Sequence, residues 1–530
     1  MLLKRIVSVT LFVFMMLTVS TSFASANTMY APVPSASQDN TLLGKVGNGN
    51  DETPGEWTLG ETPPHLKQEA PILLFVPGLN NVAQIWWEVE NSMAEAVYDA
   101  GYQAAFIQLH DAGGASADMW DNGQLLAEKI REISAHFNGK PITIVAYSKG
   151  GVDTQTALTY YGVSHLVNNV ITLSSPHHGS QLANLAYSAG ASWLADLIGA
   201  KGDGTYAMQT GYMENFRLET DQEAQAYANN FYTLGGTGWG TVFSANWFGG
   251  VYLSTYGQND GVVTVNSSRL PGGQELAVEN WSHTNIRTGI TLPIFEDYLA
   301  SEQTNHVFDM IDRNDSVMKV PANRWITGAP LKGGKLEQIP ITVEEKVEQL
   351  KFTLLTASPL ANVSILDPHH KQEKLKVDTL KSKDEFFTGA YIHSFTIEKP
   401  VSGEWQLQLE SKDENAYLLL ADYDATSKLH TQTRTKEQLS KLHATNQFFY
   451  EIEHDAAVVQ TDSLQATYHI TNTKNPQSTQ TITATGKDAL SQYLTFTQHD
   501  TVYSITIEIE GKTKAGELFK RTMVDSIYHP

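Results

Sequence analysis

The apolar positions of this chain change period part-way along it. From Pro71 to about Ala300, short unbroken apolar runs alternate with stretches in which apolar residues recur every three to four positions. The first run, Pro71 to Val76 (PILLFV), is too short for a helix and ends at Pro77-Gly78, which predicts a buried strand. A helix is expected around Trp87 to Ala100, then a strand near Ala104 to Leu109 and a helix from about Gly123 to Phe137 with Asn122 as its cap. A strand over Ile142 to Ala146, a helix after Ser148, a strand near Val170 to Leu173, a short apolar strand-like run at Val251 to Ser254 and a helix over Ile290 to Ala300 complete the series. Strands and helices alternating at this spacing predict a mostly parallel sheet with helices on both faces. Between Ser180 and Gly240 lies an insertion in which Leu182, Leu185, Ala186, Ala189, Trp193, Leu194, Leu197 and Ile198 follow a helical period. It reads either as a cap or lid or as an ordinary packed helix.

From about Val320 the helical period fades. Alternating runs such as Leu350 to Leu355, Tyr391 to Ile397, Trp405 to Leu409, Phe448 to Ile452, Ala466 to Ile470 and Tyr503 to Ile509, separated by polar turns, predict two small all-β sandwiches over 335–426 and 442–530. The Lys- and Thr-rich stretch Ser427 to Lys441 reads as the linker between them. At the other end, Lys4 and Arg5, an uncharged run from Ile6 to about Val19 and the small residues Ala24-Ser25-Ala26 form the three parts of a cleavable export signal over 1–26. The polar residues 27–67 read as a flexible lead-in, and the α/β domain is expected over 68–320. The protein is therefore expected outside the cell.

Composition narrows the chemistry. Among 530 residues there are 36 Lys+Arg against 58 Asp+Glu, a formal charge of −22, which disfavours nucleic acid as a partner. No later segment offers the roughly 18 uninterrupted apolar residues of a membrane span. There is no cysteine, so disulfides, thiolate metal sites and a cysteine nucleophile are excluded.

The candidate chemistry starts at Ala146-Tyr147-Ser148-Lys149-Gly150-Gly151, where a strand runs straight into a helix. A serine at such a turn sits in a strained backbone with its Oγ exposed, flanked two residues away on either side by small residues, and faces the free N–H groups of a helix N-terminus. Ala186-Tyr187-Ser188-Ala189-Gly190 repeats the pattern inside a helical stretch with no strand before it, so context selects Ser148. A serine nucleophile needs a base and an orienting acid. Asp260 in Asn259-Asp260-Gly261 and His283 in Trp281-Ser282-His283 follow in the order nucleophile, acid, histidine, on loops where a doubly wound sheet places its site. The loop Pro77-Gly78-Leu79-Asn80 after the first strand is placed to supply an oxyanion-hole N–H from Leu79, paired with that of Lys149.

Together FVPGLNN (75–81), VAYSKGG (145–151), LSSPHHGS (173–180), NDGVV (259–263) and WSH (281–283) resemble the secreted bacterial lipases of the α/β-hydrolase superfamily whose elbow reads A-x-S-x-G, over about Pro71 to Leu299. The resemblance implies an α/β-hydrolase domain, which the two β-sandwiches read from the alternation follow. It implies ester hydrolysis through an acyl-enzyme on Ser148, with His283 as base and then acid and Asp260 orienting the imidazole, on a lipid or other ester substrate at an interface. No cofactor is required by this reading. Related lipases often hold calcium through an aspartate two places after the histidine; that place is Asn285 here, which argues against such a site. His177 and His178 lack a third ligand and are expected to be structural. Two other readings stay open: an extracellular polyester (polyhydroxyalkanoate) depolymerase, and a non-catalytic surface-binding protein.

Overall fold

The computed structural model describes residues 53–113, 116–242, 244–300, 320–381, 389–425, 429–431 and 447–530. The expected export signal and most of the expected linker lie outside these residues. In the first half, strands β1 (Trp57–Leu59), β2 (Ile72–Val76), β3 (Ala104–Ile107), β4 (Ile142–Tyr147), β5 (Val167–Leu173), β6 (Asn230–Gly236) and β7 (Gln274–Glu279) form one seven-stranded sheet in the order β1-β3-β2-β4-β5-β6-β7. All neighbours are parallel except β1, which pairs antiparallel with β3. The two central strands β2 and β4 are buried at every residue, because helices cover both faces. The connecting helices are α1 (Met93–Asp99), α2 (Met119–His136), α3 (Lys149–Tyr160), α4 (Gln181–Tyr187), α5 (Ser192–Leu197), α6 (Asp203–Ala207), α7 (Thr210–Thr220), α8 (Ala245–Leu253), α9 (Val265–Ser268) and α10 (Leu292–Phe295). This is an α/β-hydrolase architecture.

Several boundaries differ from the sequence expectation, each for a local reason. Residues Trp57–Leu59, inside the expected lead-in, add a strand to the sheet edge, and Trp57 is buried against α2 residues such as His136. The helix expected from Trp87 begins only at Met93, after Asn91 takes a left-handed φ of 52° and Ser92 accepts a cap hydrogen bond from the Glu95 N–H. Helix α2 starts one turn earlier than expected: Asp118 is its cap, and Asn122 lies buried in its interior. The run Val251 to Ser254 is not a strand but the end of α8; the strand that carries the following loop is β6, whose Leu234-Gly235-Gly236 end broke the apolar pattern. The helix expected over 181–199 is split into α4 and α5 at Ser188, which turns extended.

The second half is all β. Strands β8 (Val320–Ala322), β9 (Arg324–Leu331), β10 (Leu336–Val343), β11 (Gln349–Thr356), β12 (Leu360–Leu366), β13 (Asp378–Lys381), β14 (Tyr391–Glu398), β15 (Gly403–Ser411) and β16 (Asn415–Asp424) come first. Then follow β17 (Leu429–Thr431), β18 (Gln447–His454), β19 (Val459–Asn472), β20 (Thr479–Thr485), β21 (Ser491–Thr495), β22 (Thr501–Thr513) and β23 (Leu518–His529). One unit has sheets β10-β15-β12 and β13-β14-β11-β16-β9, the other β21-β18-β17-β8 and β20-β19-β22-β23. Each has its own apolar core, centred on Phe352, Leu407 and Leu419 in the first and on Leu464, Tyr468 and Ile507 in the second. The first unit therefore starts at Arg324, earlier than the expected 335, and the short β8 crosses over to pair with β17.

The two halves share a core. Leu182, Leu185 and Leu194 of the inserted helices and Phe248 of α8 pack with Ile326, Leu355, Ile392, Leu418 and Val524 of the β half. Polar contacts pin the same surface: Ser526 donates to Asn184 Oδ1 at 2.9 Å and accepts from the Gly211 N–H at 2.9 Å, and the Ala189 N–H donates to Thr506 Oγ1 at 3.0 Å. That last bond uses an amide freed by the break between α4 and α5. Arg324 is the strongest joint. Its guanidinium donates to the Val251 and Tyr252 carbonyls at 2.8 Å each, which lie in the last turn of α8, and to Asp422 at 2.5 Å. Removing it leaves a largely buried carboxylate without its cation. Arg324→Met should therefore lower the unfolding free energy by about 3–5 kcal/mol, read as the first transition in a urea titration of the full chain; an unchanged midpoint would contradict this joint.

Candidate functional site

Ser148 sits between the end of β4 and the first residue of α3 with φ 52° and ψ −133°, a left-handed conformation rare for a residue with a side chain. Its N–H is tied to the Leu173 carbonyl of β5 at 2.9 Å. The turn needs the glycine two residues on: a Cβ on Gly150 would lie 2.3 Å from the Pro77 carbonyl oxygen. The elbow and the loop after β2 are thus packed backbone to backbone.

Asp260 and His283 reach the serine from the other side. A Cβ on Gly236, at the end of β6, would meet the Trp281 carbonyl oxygen at 2.4 Å and Asp260 Cβ at 2.8 Å, so the bare glycine lets both loops converge. Asp260 Oδ1 accepts from the Val262 and Val263 N–H groups at 2.9 and 2.7 Å, which fixes the carboxylate and leaves Oδ2 for His283 Nδ1 at 2.6 Å. The His283 N–H also donates to the Asp260 carbonyl at 2.9 Å, so ring and backbone are held by one residue. With Nδ1 carrying the proton toward Asp260, Nε2 is the acceptor for the Ser148 hydroxyl 3.0 Å away. Tyr147 backs the imidazole with ring centroids 5.0 Å apart, and Arg287 lies over the Tyr147 ring. Asn285 shapes the turn that carries His283: its Oδ1 accepts from the Ser282 N–H at 2.7 Å.

Asp260 and His283 are fully buried and Ser148 is 6% exposed. The inserted helices reach the loop after β2 as well, since Gly204 of α6 lies against the Leu79 side chain. In that loop the Asn81 N–H donates to the Gly78 carbonyl at 3.2 Å, and Asn80 takes a left-handed φ of 56°. Among the described residues the Leu79 N–H donates to no protein acceptor, and Lys149, first in its helix, has no intrahelical acceptor for its own. A serine hydroxyl hydrogen-bonded to an imidazole, a carboxylate behind it and free N–H groups beside it are the parts required for nucleophilic acyl transfer.

Ser188 has no such surroundings. It is buried after α4, and its hydroxyl donates to the Leu185 carbonyl at 2.7 Å. His177 is buried with Nε2 3.4 Å from Thr172 Oγ1, and burial together with Arg217 and His178 holds its pKa well below the usual histidine value. Among the described residues no group of three His, Asp or Glu side chains is placed to hold a metal ion, and no helix is long and apolar enough to cross a membrane.

One charged cluster went unread in the sequence. Lys149 is fully buried, and its ammonium lies 2.8 Å from Asp153 Oδ1 and 3.6 Å from Asp111 Oδ2. Asn122, expected as a cap, bridges the two carboxylates, donating to Asp111 at 2.6 Å and to Asp153 at 3.0 Å. The available signal was the i, i+4 spacing of Lys149 and Asp153 on a helix whose lysine faces the core. Burial alone would lower the lysine's pKa, but Asp111 and Asp153 outweigh it and raise it. Desolvation pushes Asp153 up to about 7, against the pull of Lys149, because two buried acids share one cation.

The fold that carries these features is that of the α/β-hydrolase class. A model of the alpha/beta hydrolase fold matches residues 71–237. The propeptide form of the lipase BlEst2 from Bacillus licheniformis is 33% identical, with a TM-score of 0.74 over 90% of this chain and 98% of that one. The chain therefore belongs to the lipases of the α/β-hydrolase fold, a class of carboxylic ester hydrolases. The mature form of BlEst2 is 45% identical over 47% of this chain and 99% of its own, with a TM-score of 0.44. Triacylglycerol lipase 2 of Saccharomyces cerevisiae is 25% identical over 169 residues, 30% of this chain and 52% of that protein, so the match spans about half of the yeast relative.

The Asp153 shift has a sign that can be measured. Between the unfolded value of 3.8 and about 7 the folded protein keeps a proton that the unfolded chain has lost, so this group makes stability fall as pH rises through that window. The loss is at most about 1.4 kcal/mol per pH unit. In urea titrations, Asp153→Asn should gain on the wild type steadily from pH 4 to 7 and then level off; a stability difference that stays flat over this range would contradict the assignment.

Proposed function

We propose that this protein is an exported lipase that hydrolyses acylglycerol esters through an acyl-enzyme on Ser148. The observation that carries this reading is the unbroken hydrogen-bond chain Ser148 Oγ–His283 Nε2 and His283 Nδ1–Asp260 Oδ2, at 3.0 and 2.6 Å, beside a left-handed serine at a strand-to-helix turn. In this mechanism Ser148 Oγ attacks the ester carbonyl as its proton passes to His283 Nε2. The Leu79 and Lys149 N–H groups receive the negative charge that develops on the carbonyl oxygen. Collapse of the tetrahedral intermediate expels the alcohol, which takes the proton from His283. Water then attacks the acyl-enzyme by the same route, with His283 acting first as base and then as acid. Asp260 holds the ring in the tautomer that this cycle needs and stabilises the imidazolium.

Two features favour a lipid interface. Trp193 and Leu197, one turn apart on α5, are each 57% exposed, apolar side chains on the cap. The relatives are named as lipases. Export is supported by the signal-like residues 1–26. We also infer that the β half is a removable propeptide. The matching lipase structure is of a propeptide form, and every residue assigned a role here lies between Leu79 and His283.

The test is turnover of a soluble p-nitrophenyl ester, an emulsified triglyceride and a polyhydroxyalkanoate film, by the full chain and by chain nicked between Ala300 and Val320. Ser148-dependent hydrolysis of ester and emulsion, faster on the emulsion after nicking, is expected, with Ser148→Ala losing about 10⁴-fold or more. Turnover that survives Ser148→Ala would overturn the enzyme reading; clearing of the film alone would move the substrate class to polyesters; equal rates before and after nicking would remove the propeptide role.

A further inference from the structure

The cluster under the elbow does more than neutralise a buried lysine. Asp111 Oδ1 accepts the Asn80 N–H at 3.0 Å, and Asn80 directly follows Leu79. The other oxygen, Oδ2, faces the Lys149 ammonium at 3.6 Å and the Asn122 amide at 2.6 Å. Asn122 Oδ1 in turn accepts from the His110 N–H at 3.1 Å, which anchors the segment carrying Asp111. Asp111, Lys149 and Asn122 are each no more than 1% exposed, so the geometry of the cluster is set by packing and not by solvent.

On the reading that the Leu79 and Lys149 amides form the oxyanion hole, we propose that Asp111 is its positioning residue. The residue whose backbone supplies one half of the hole sends its side chain to the carboxylate that holds the loop supplying the other half. The link runs Lys149 ammonium, Asp111 carboxylate, Asn80 N–H, and then across one peptide unit to Leu79. It fixes the separation of the two N–H groups before substrate arrives, which is the condition under which such donors stabilise a transition state without reorganising. Asn80 is left-handed at φ 56°, a conformation costly to hold in a loop without a partner for its amide. Asp153 accepts from the same lysine and the same asparagine, at 2.8 and 3.0 Å, but the loop N–H donates to Asp111 and not to it. The two acids are therefore a useful pair for comparison: equal in burial and both beside Lys149, which is closer to Asp153, but only Asp111 reaches the loop of the hole.

That difference makes the test. Asn in place of Asp111 keeps the shape, but it cannot accept from Asn80 with one atom and from Lys149 and Asn122 with the other. Asp111→Asn, Asp153→Asn and Ser148→Ala are compared with the wild-type full chain for kcat and KM on a soluble p-nitrophenyl ester. The affinity for an alkylboronic acid, which forms a tetrahedral adduct on the serine, is measured for the wild type and the two Asn variants, and unfolding midpoints for all four proteins. Loss of one hole donor costs about 10²–10³ in kcat, so partial misplacement in Asp111→Asn should cost about 10–100-fold in kcat, with KM within about twofold and boronate affinity falling in parallel. Asp153→Asn should stay within about threefold in kcat and boronate affinity, whatever its unfolding midpoint. If Asp111→Asn keeps kcat while Ser148→Ala is inactive, the positioning role is wrong and the serine reading stands. Equal losses of kcat in both Asn variants, tracking their unfolding midpoints, would also make the cluster merely structural. If Ser148→Ala retains turnover, the serine reading falls and the positioning role with it.

Discussion

The left-handed backbone of Ser148 is the constraint around which the rest of the molecule is arranged. A residue with a side chain held in such a conformation costs about 1–3 kcal/mol and persists only where its surroundings overdetermine it. Here β4 is buried along its whole length, α3 is buried over nearly all of its own, and the Ser148 N–H is locked to β5. The sheet supplies the force that keeps the turn strained, and the turn presents one hydroxyl at the carboxyl edge of the sheet. Everything with a chemical role then converges on that edge: the loop after β2, the Asp260 turn that follows α8, and the His283 turn after β7.

The local parts of this arrangement were legible in the sequence because their signals are short-range. A strand running into A-Y-S-K-G, a P-G-L-N turn and an ordered aspartate and histidine on later loops each carry their meaning within a few residues, and the structure brings all five residues together. Ser188, with the same motif, has no strand before it, and the structure places it after α4 with its hydroxyl bonded to the Leu185 carbonyl. The misreadings share one cause, the use of local pattern where tertiary contact decides. Val251 to Ser254 was apolar enough for a strand but packs as the end of α8, while the true strand β6 was hidden by its terminal glycines. Asn122 fits a cap by type, yet Asp118 takes that role and Asn122 is drawn into the core to join two carboxylates forty-two residues of chain apart, Asp111 and Asp153.

The β half repeats the lesson at larger scale. Period-two alternation revealed two sandwiches, because each strand has one face in a core. What alternation does not encode is where a sandwich rests. The break in the helical pattern at Ser188 exists where β9 and β22 dock, the Ala189 amide finding its acceptor in Thr506 more than three hundred residues away. Arg324 performs the same function for the end of α8. The inserted helices are thus braced from outside by the second half of the chain, and Trp193 and Leu197 stay exposed beside that contact.

The central claim is that one serine, at residue 148, carries covalent chemistry. Labelling the full chain with a fluorophosphonate, followed by peptide mapping and residual turnover of a soluble ester, tests it most directly. The account predicts a single adduct on Ser148, with turnover falling in proportion to labelling. An adduct on Ser188 or any other residue, or turnover that survives complete labelling of Ser148, would contradict it.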